Sequence, residues 1–359
     1  MINKLNKTGC FLIPCDFINR HYLNTDIVKK LISILFLSFL LRPLFGQDPQ
    51  FSQFYSNYLY LAPSFSGLVE NNRIAVNYRK QWPEIAHGYD TYSASFDKYF
   101  EKFRSGLGIL FLRDEAGSGR LRSTNLGLQY SFDIKINNLW HIRPGMHFLY
   151  TERAINFEDL LWADQISINE NAPATAELLP LNHVGDLDFS ASALTYSDRY
   201  WFGVCVDHLL KPNHSLYFYE DEDGNPAHVP IKYSVFGGTK FIRHEHLLRP
   251  VPTTLQLAFL FKSQGQYNQL DLGVYFYRNP VVLGFWYRGI PFYNSDLNRD
   301  AFTVLTGYKI KDLNIGYSYD FTISRLISRT GGSHEISLSY SFKTKARQRK
   351  PRMLPCPEF

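Results

Sequence analysis

The stretch that decides the fold is STNLGLQYSFDI, residues 123–134. Leu126, Leu128, Tyr130, Phe132 and Ile134 fall on one parity, while Ser123, Asn125, Gln129, Ser131 and Asp133 fall on the other. A period of two is the mark of a strand with one apolar and one polar face. The same alternation runs on both sides of this stretch. It covers 73–81, 89–100, 105–113 and 139–153 before or just after it, then 186–196, 200–209, 231–242, 254–263 and 267–278. The last four runs are 281–289, 301–310, 313–323 and 334–342. That makes fourteen expected strands, an even number, each close to the roughly 9–11 residues that a tilted strand needs to cross a bilayer.

A soluble sandwich would alternate in the same way, so the connections carry the decision. Counting from the first strand, the even connections are mostly short: EKFR, KINN, SDR, RNP and KD. The odd ones include 154–185, 210–230 and 290–300. RHEHLLRPVP is a long exception among the even turns, and SQGQ a short one among the odd. Short turns at one end and long loops at the other is the pattern of an outer-membrane barrel. The final run, HEISLSYSF, places Ile336, Leu338, Tyr340 and Phe342 on one face and ends on an aromatic. The expected fold is all-β: a transmembrane antiparallel barrel of about fourteen strands over residues 73–342.

Composition agrees. Aromatic residues make up 16% of the 359, with 24 Tyr and 29 Phe, as suits a wall with aromatic girdles. No apolar run is long enough to span a bilayer as a helix. The net charge of +5 sits at the ends: residues 1–46 and 343–352 carry twelve basic side chains and two acidic ones, leaving 47–342 acidic overall. That distribution excludes a nucleic-acid binder.

Residues 28–46, VKKLISILFLSFLLRPLFG, read as a signal peptide, with Lys29 and Lys30 before the apolar run Leu31–Leu41 and Gly46 at its end. The alternative is a buried helix or anchor. Residues 1–27, with Asp16, Asp26, Cys10 and Cys15, do not resemble an n-region and point to an over-long start. Gln47 then becomes a new N-terminus on the periplasmic side. Residues 47–72 are crowded with aromatics, among them Phe51, Phe54 and Tyr55, yet have no regular period. They are expected to enter the barrel as a plug; a periplasmic, partner-binding arm is the alternative.

No GxSxG elbow and no convergent acid, base and nucleophile are present, so catalysis is not expected. YEDEDGNP (219–226) lacks the closing Glu of a calcium loop and reads as an exposed acidic turn, HEH (244–246) could hold a metal but lies in an expected periplasmic turn, and the scattered cysteines lack metal-ligand spacing. DEAGSGRL (114–121) reads as a tight outer turn. No cofactor, metal or small-molecule substrate is expected.

In its ordered motifs the chain resembles the PorP/SprF family of Bacteroidetes outer-membrane proteins, associated with type IX secretion and gliding motility. The resemblance rests on QDPQFSQFY (47–55) with LYL.P...G, YRKQWP followed by YDTYSASFD, DEAGSGRL, and HLLKPNHS. It continues through GFWYRG, GYSYDFTIS and GGSHEISLSYSF to the terminal PCPEF. It covers Gln47 to Phe359. Where the family pattern has NPLYLNPA this chain has NYLYLAPS, with Tyr58, Ala62 and Ser64 departing. The resemblance implies a barrel whose partners are type IX components and a secreted or surface cargo protein, alongside outer-membrane lipid. The basic tail 343–359 is read as a periplasmic docking arm carrying Lys345, Arg347, Arg349, Lys350, Arg352, Cys356 and Phe359, or else as a lipid-headgroup contact. Cys356 is read as a free thiol or an intermolecular bridge. A porin-like passive or gated channel is the rival function.

Overall fold

The computed structural model describes residues 48–69, 71–162, 165, 175, 179–216, 228–244, 252–290, 299–323 and 330–342. Its first strands are β1 (Asn72–Gln81), β2 (Tyr89–Phe100), β3 (Ser105–Ala116), β4 (Leu121–Phe132), the two-residue β5 (Ile134–Lys135) and β6 (His141–Ala154). β7 (His183–Tyr196), β8 (Tyr200–Asp207), β9 (Lys232–His244), β10 (Pro252–Gln264) and β11 (Tyr267–Arg278) follow. β12 (Val281–Gly289), β13 (Arg299–Ile310), β14 (Leu313–Thr322) and β15 (Ser333–Phe342) complete the sheet. Each strand pairs antiparallel with its neighbour, β1 pairs with β15, and β4 pairs directly with β6. The ring is therefore closed by fourteen strands, with β5 an extra ribbon beside β6. Closure removes the free edges that an open sheet would leave unbonded.

The fourteen expected strands all form. Their ends shift for local reasons. β6 begins at His141 because Asn137 Oδ1 accepts from the backbone N–H groups of Leu139 and Trp140, a side-chain turn that competes with the ladder. β8 stops at Asp207 because His208 takes a left-handed conformation, φ 62°, and turns its ring inward.

The wall is inverted relative to a soluble protein. Leu126, Leu128, Phe148 and Leu187 are 53%, 63%, 59% and 65% exposed. On the opposite parity Arg79, Asp97, Arg143, Asp271, Arg288 and Glu335 are all buried. In water such an outer surface would be an aggregation site; in lipid it is the required apolar band. Exposed aromatics collect near both rims: Phe103, Phe132, Tyr200, Phe241, Tyr308 and Tyr340 at one, Tyr92, Tyr150, Tyr233 and Phe321 at the other.

The two rims differ. One carries connections such as 101–104, 197–199, 279–280 and 311–312, and it holds Asn72 paired with Phe342. The other carries 155–182, 208–231, 290–298 and 323–332. In outer-membrane barrels the long loops face outward, so these are the inner and outer rims. HEH (244–246) falls largely, and YEDEDGNP (219–226) entirely, outside the described residues. No helix among the described residues is long and apolar enough to cross a membrane, which leaves a strand-spanning barrel untouched.

Candidate functional site: the occupied lumen

The barrel encloses residues 48–69 of its own chain. Apart from a one-turn helix, α1 (Tyr58–Leu61), and a 3-10 turn at Pro63–Phe65, this segment has no regular structure. Part of its backbone is bonded within the segment, as from Tyr60 N–H to the Asn57 carbonyl and from Ser66 N–H to that of Pro63, and the remaining polar groups need partners on the wall. Four levels of contact hold the segment, from the outer rim inward.

At the outer rim, Asp48 accepts from Lys232 Nζ at 2.6 Å, His208 Nε2 at 2.9 Å and Gln264 Nε2 at 3.2 Å. The Asp48 N–H donates back to Gln264 Oε1. His208 Nδ1 donates to Asp188 Oδ2 at 2.6 Å, so both ring nitrogens face carboxylates and the ring is held as imidazolium. Lys232 also pairs with Asp207 at 3.2 Å. Burial alone would raise the Asp48 carboxyl, but the charges of His208 and Lys232 hold it well below the usual carboxylate range. Burial likewise disfavours the His208 cation; the Asp48 charge and the hydrogen bonds to Asp188 and Asp48 outweigh it and push His208 up to about 10.

These directions fix a pH dependence. The His208 contribution to stability is complete below its ordinary value near 6.5 and is lost as pH rises through about 10. The Asp48 contribution is complete above about 3.8 and is lost as pH falls through its lowered value. The urea midpoint of the detergent-solubilised barrel should thus fall between pH 7 and 10.5. In His208→Gln the midpoint should be lower at pH 7 and flatter across that range. Parallel curves for the two proteins would refute the linkage.

The second level grips Ser52 and Gln53. The two carboxylate oxygens of Glu335 accept from the Ser52 and Gln53 N–H groups at 2.6 and 3.1 Å. Ser52 Oγ donates to Asp320 at 2.6 Å and accepts from Arg79 at 2.5 Å and Arg288 at 2.9 Å, which uses its one proton and both lone pairs. Arg79 pairs with Asp320 at 2.8 Å and Glu335 at 3.4 Å, while Arg288 reaches Asp320 at 3.4 Å and Asp271 at 3.6 Å. Gln53 donates to Ser318 Oγ and the Glu335 carbonyl and accepts from Ser337. The wall here carries two guanidiniums and three carboxylates, all buried. Charges so placed must be paired, and the segment supplies the dipoles that complete the pairing.

Below lies an aromatic layer. Phe54 meets Trp286 edge-on at 4.7 Å between centroids, and Tyr55 packs against Trp201, Tyr275 and Trp286. Trp201 Nε1 donates to the Tyr55 hydroxyl at 3.3 Å. Tyr58 stacks on Phe65 and carries the Arg73 guanidinium 4.1 Å above its ring. Each such fully buried side chain contributes roughly 1.5–3 kcal/mol.

At the inner end the wall again binds backbone. Gly67 N–H donates to Asp97, which also pairs with Arg73 at 3.3 Å. Arg143 and Ser131 donate to the Ser66 carbonyl at 2.5 and 2.7 Å, and Gln129 donates to that of Leu59 at 2.7 Å. The approach is close: a β-carbon on Gly106 would overlap the Ser66 carbonyl oxygen, and one on Gly145 the Ser64 nitrogen. Gly106→Ala should therefore displace the Ser66–Gly67 turn and open it to limited proteolysis, with the barrel still heat-modifiable on gels. Unchanged protection of this turn would refute the close contact.

A cavity of about 50 Å³ lies between Asp48, Leu59, Tyr60, His147, Asp207 and Lys232, room for a water or two. A larger groove, about 820 Å³, opens at the outer rim between Arg120, Arg122 and Glu152 on one side and Leu179–His183 on the other. Among the described residues no group of three His, Cys, Asp or Glu could hold a metal ion.

The family model for the type IX secretion system membrane protein PorP/SprF matches residues 44–340. The chain belongs to the PorP/SprF family. A comparison with curated proteins found no match. Among solved structures, this PorP/SprF chain is similar to the Acinetobacter baumannii outer membrane protein Omp33, with a TM-score of 0.41 and 10% identity over 77% of this chain and 100% of that one. It is also similar to the P. putida toluene transporter TodX (TM-score 0.44, 10% identity, 79% and 93% covered). The Ralstonia pickettii toluene transporter TbuX is a third (TM-score 0.43, 9% identity, 79% and 92% covered).

The residues singled out from sequence divide into two sets. Phe51, Phe54 and Tyr55 of this PorP/SprF chain are buried within the lumen, at 1%, 4% and 0% exposure; the Phe54 and Tyr55 rings pack on each other and on the wall, and the Phe51 ring on Tyr60 of the same segment. Lys345, Arg347, Arg349, Lys350, Arg352, Cys356 and Phe359 lie outside the described residues. The periplasmic position expected at residue 47 differs from that of the adjacent Asp48, which is bonded at the outer rim because its charge partners, His208 and Lys232, are there. Sequence reading missed the wall residues Arg79, Asp188, His208, Lys232, Arg288, Asp320 and Glu335. A signal was available: charged residues on the non-lipid parity of a barrel strand point into the lumen.

Proposed function

We propose that this chain is a non-conducting, non-enzymatic outer-membrane anchor that docks a secreted or surface protein for the type IX system. The observation that carries the reading is the occupied lumen. A segment held by ion pairs and hydrogen bonds at both ends, with aromatics between, stands in the way of solute among the described residues, whereas a docking barrel needs only its rims. On this reading residues 48–69 act as a plug, and Phe51, Phe54 and Tyr55 serve docking indirectly by holding it in place.

The outer contact would use the loops 154–185 and 210–230, next to the groove between Arg120 and Leu179–His183. The inner contact would use the basic tail, with Lys345, Arg347, Arg349, Lys350 and Arg352 matched to an acidic periplasmic component and Cys356 and Phe359 at its end. The test is a pull-down of tagged protein from native outer membranes, comparing the full chain with one truncated after Phe342. Type IX components or a large secreted protein should co-purify with the first and be depleted from the second. Recovery of the barrel alone in both cases, with ion conductance by the purified protein, would favour the channel.

A further inference from the structure

We infer that the N-terminal segment is threaded through its own barrel, so that Asp48 lies at the cell-surface rim while the end of β15 faces the periplasm. The inference rests on the orientation used above, long loops outward, and adds a second element to the outer docking face: the chain's own N-terminal end.

The contacts are ordered along the barrel axis. Asp48 is bonded to His208, just past the outer end of β8, to Lys232, the first residue of β9, and to Gln264, the last of β10. All three lie at the outer rim. Ser52 meets Arg79, Arg288, Asp320 and Glu335, each within two residues of an outer strand end. Ser66 and Gly67 meet Ser131, Arg143 and Asp97, near the inner ends of β4, β6 and β2. The segment then joins β1, whose first residue pairs with Phe342 at the inner rim. Twenty residues from Asp48 to Gly67 thus descend the whole wall. A strand of about a dozen residues at roughly 3.3 Å each, tilted by about 40°, rises some 30 Å, well within the reach of twenty residues even with two helical turns.

The anchoring follows the same logic. The outer latch is ionic and multidentate, which suits a site at the wet rim of the lumen, where two cations close on one carboxylate. The two ends of the folded chain therefore sit on opposite sides of the membrane. A partner reaching Asp48 must come from outside the cell, and one reaching Phe342 at the end of β15 must be periplasmic.

Epitope insertion in the full chain tests this. One tag goes between Gln47 and Asp48, an outer control between Gly117 and Ser118, and an inner control between Lys311 and Asp312. The first two should bind antibody on intact cells and the third only after permeabilisation. An N-terminal tag that needs permeabilisation while the Gly117 tag does not would overturn the inference and leave the orientation standing. Reversed controls would overturn it through the orientation on which it rests. Because an inserted tag can block threading, Gln47→Cys and Ser118→Cys, each in a Cys356→Ser background, provide a smaller probe. A membrane-impermeant maleimide should label both on whole cells; labelling of Ser118→Cys alone would again overturn the inference.

Discussion

Arg79→Met is expected to be among the most damaging single substitutions in the lumen, lowering unfolding free energy by about 3–5 kcal/mol, as when one partner of a buried ion network is removed. Arg79 joins Asp320, Glu335 and Ser52 Oγ. Methionine fills similar volume but leaves two buried carboxylates facing each other with only Arg288 nearby. The cost falls on the segment as well, since the Ser52 and Gln53 N–H groups depend on Glu335 remaining in place. Equilibrium unfolding in urea, followed by tryptophan fluorescence, reads the change directly, because Trp201 and Trp286 are buried against Tyr55. A loss below 1 kcal/mol would mean that the network is solvated and does not hold the segment.

Trp286→Ala should cost about 3–5 kcal/mol, the range for deleting a large buried aromatic. The indole is 3% exposed and touches Phe54, Tyr55 and Tyr275, so its loss leaves a void in the middle of the segment. Its neighbour Phe285 provides the control. Phe285 faces the other way at 44% exposure, and Phe285→Ala should cost clearly less in the same detergent and leave the fluorescence of the folded state unchanged. Equal costs for the two would deny the parity on which the inward and outward faces are assigned.

Parity is also why so much of the barrel could be read from sequence. In 123–134 and in 334–342 the apolar residues occupy alternate positions without a break, and only a two-faced strand satisfies that pattern. Loop lengths then oriented the strands. The lumen was less legible, because period two says that Arg79, Asp320 and Glu335 point inward but not which of them meet. Those residues lie up to 256 positions apart in the chain, and their meeting depends on β1 and β15 being neighbours through closure. The path of the segment was harder still. Its aromatics explain why it is buried, but its direction is set by Asp48 finding His208 and Lys232, and nothing local to QDPQFSQFY announces partners 160 and 184 residues away.

The central claim is that the barrel is filled by its own chain, and the conductance of the purified full-length protein in a planar lipid bilayer tests it most directly. The account predicts no steady current at moderate voltage, with opening only when the segment is loosened, as in Arg79→Met. A stable, ohmic current through the unaltered protein, of the size an open porin of this strand number carries, would contradict it.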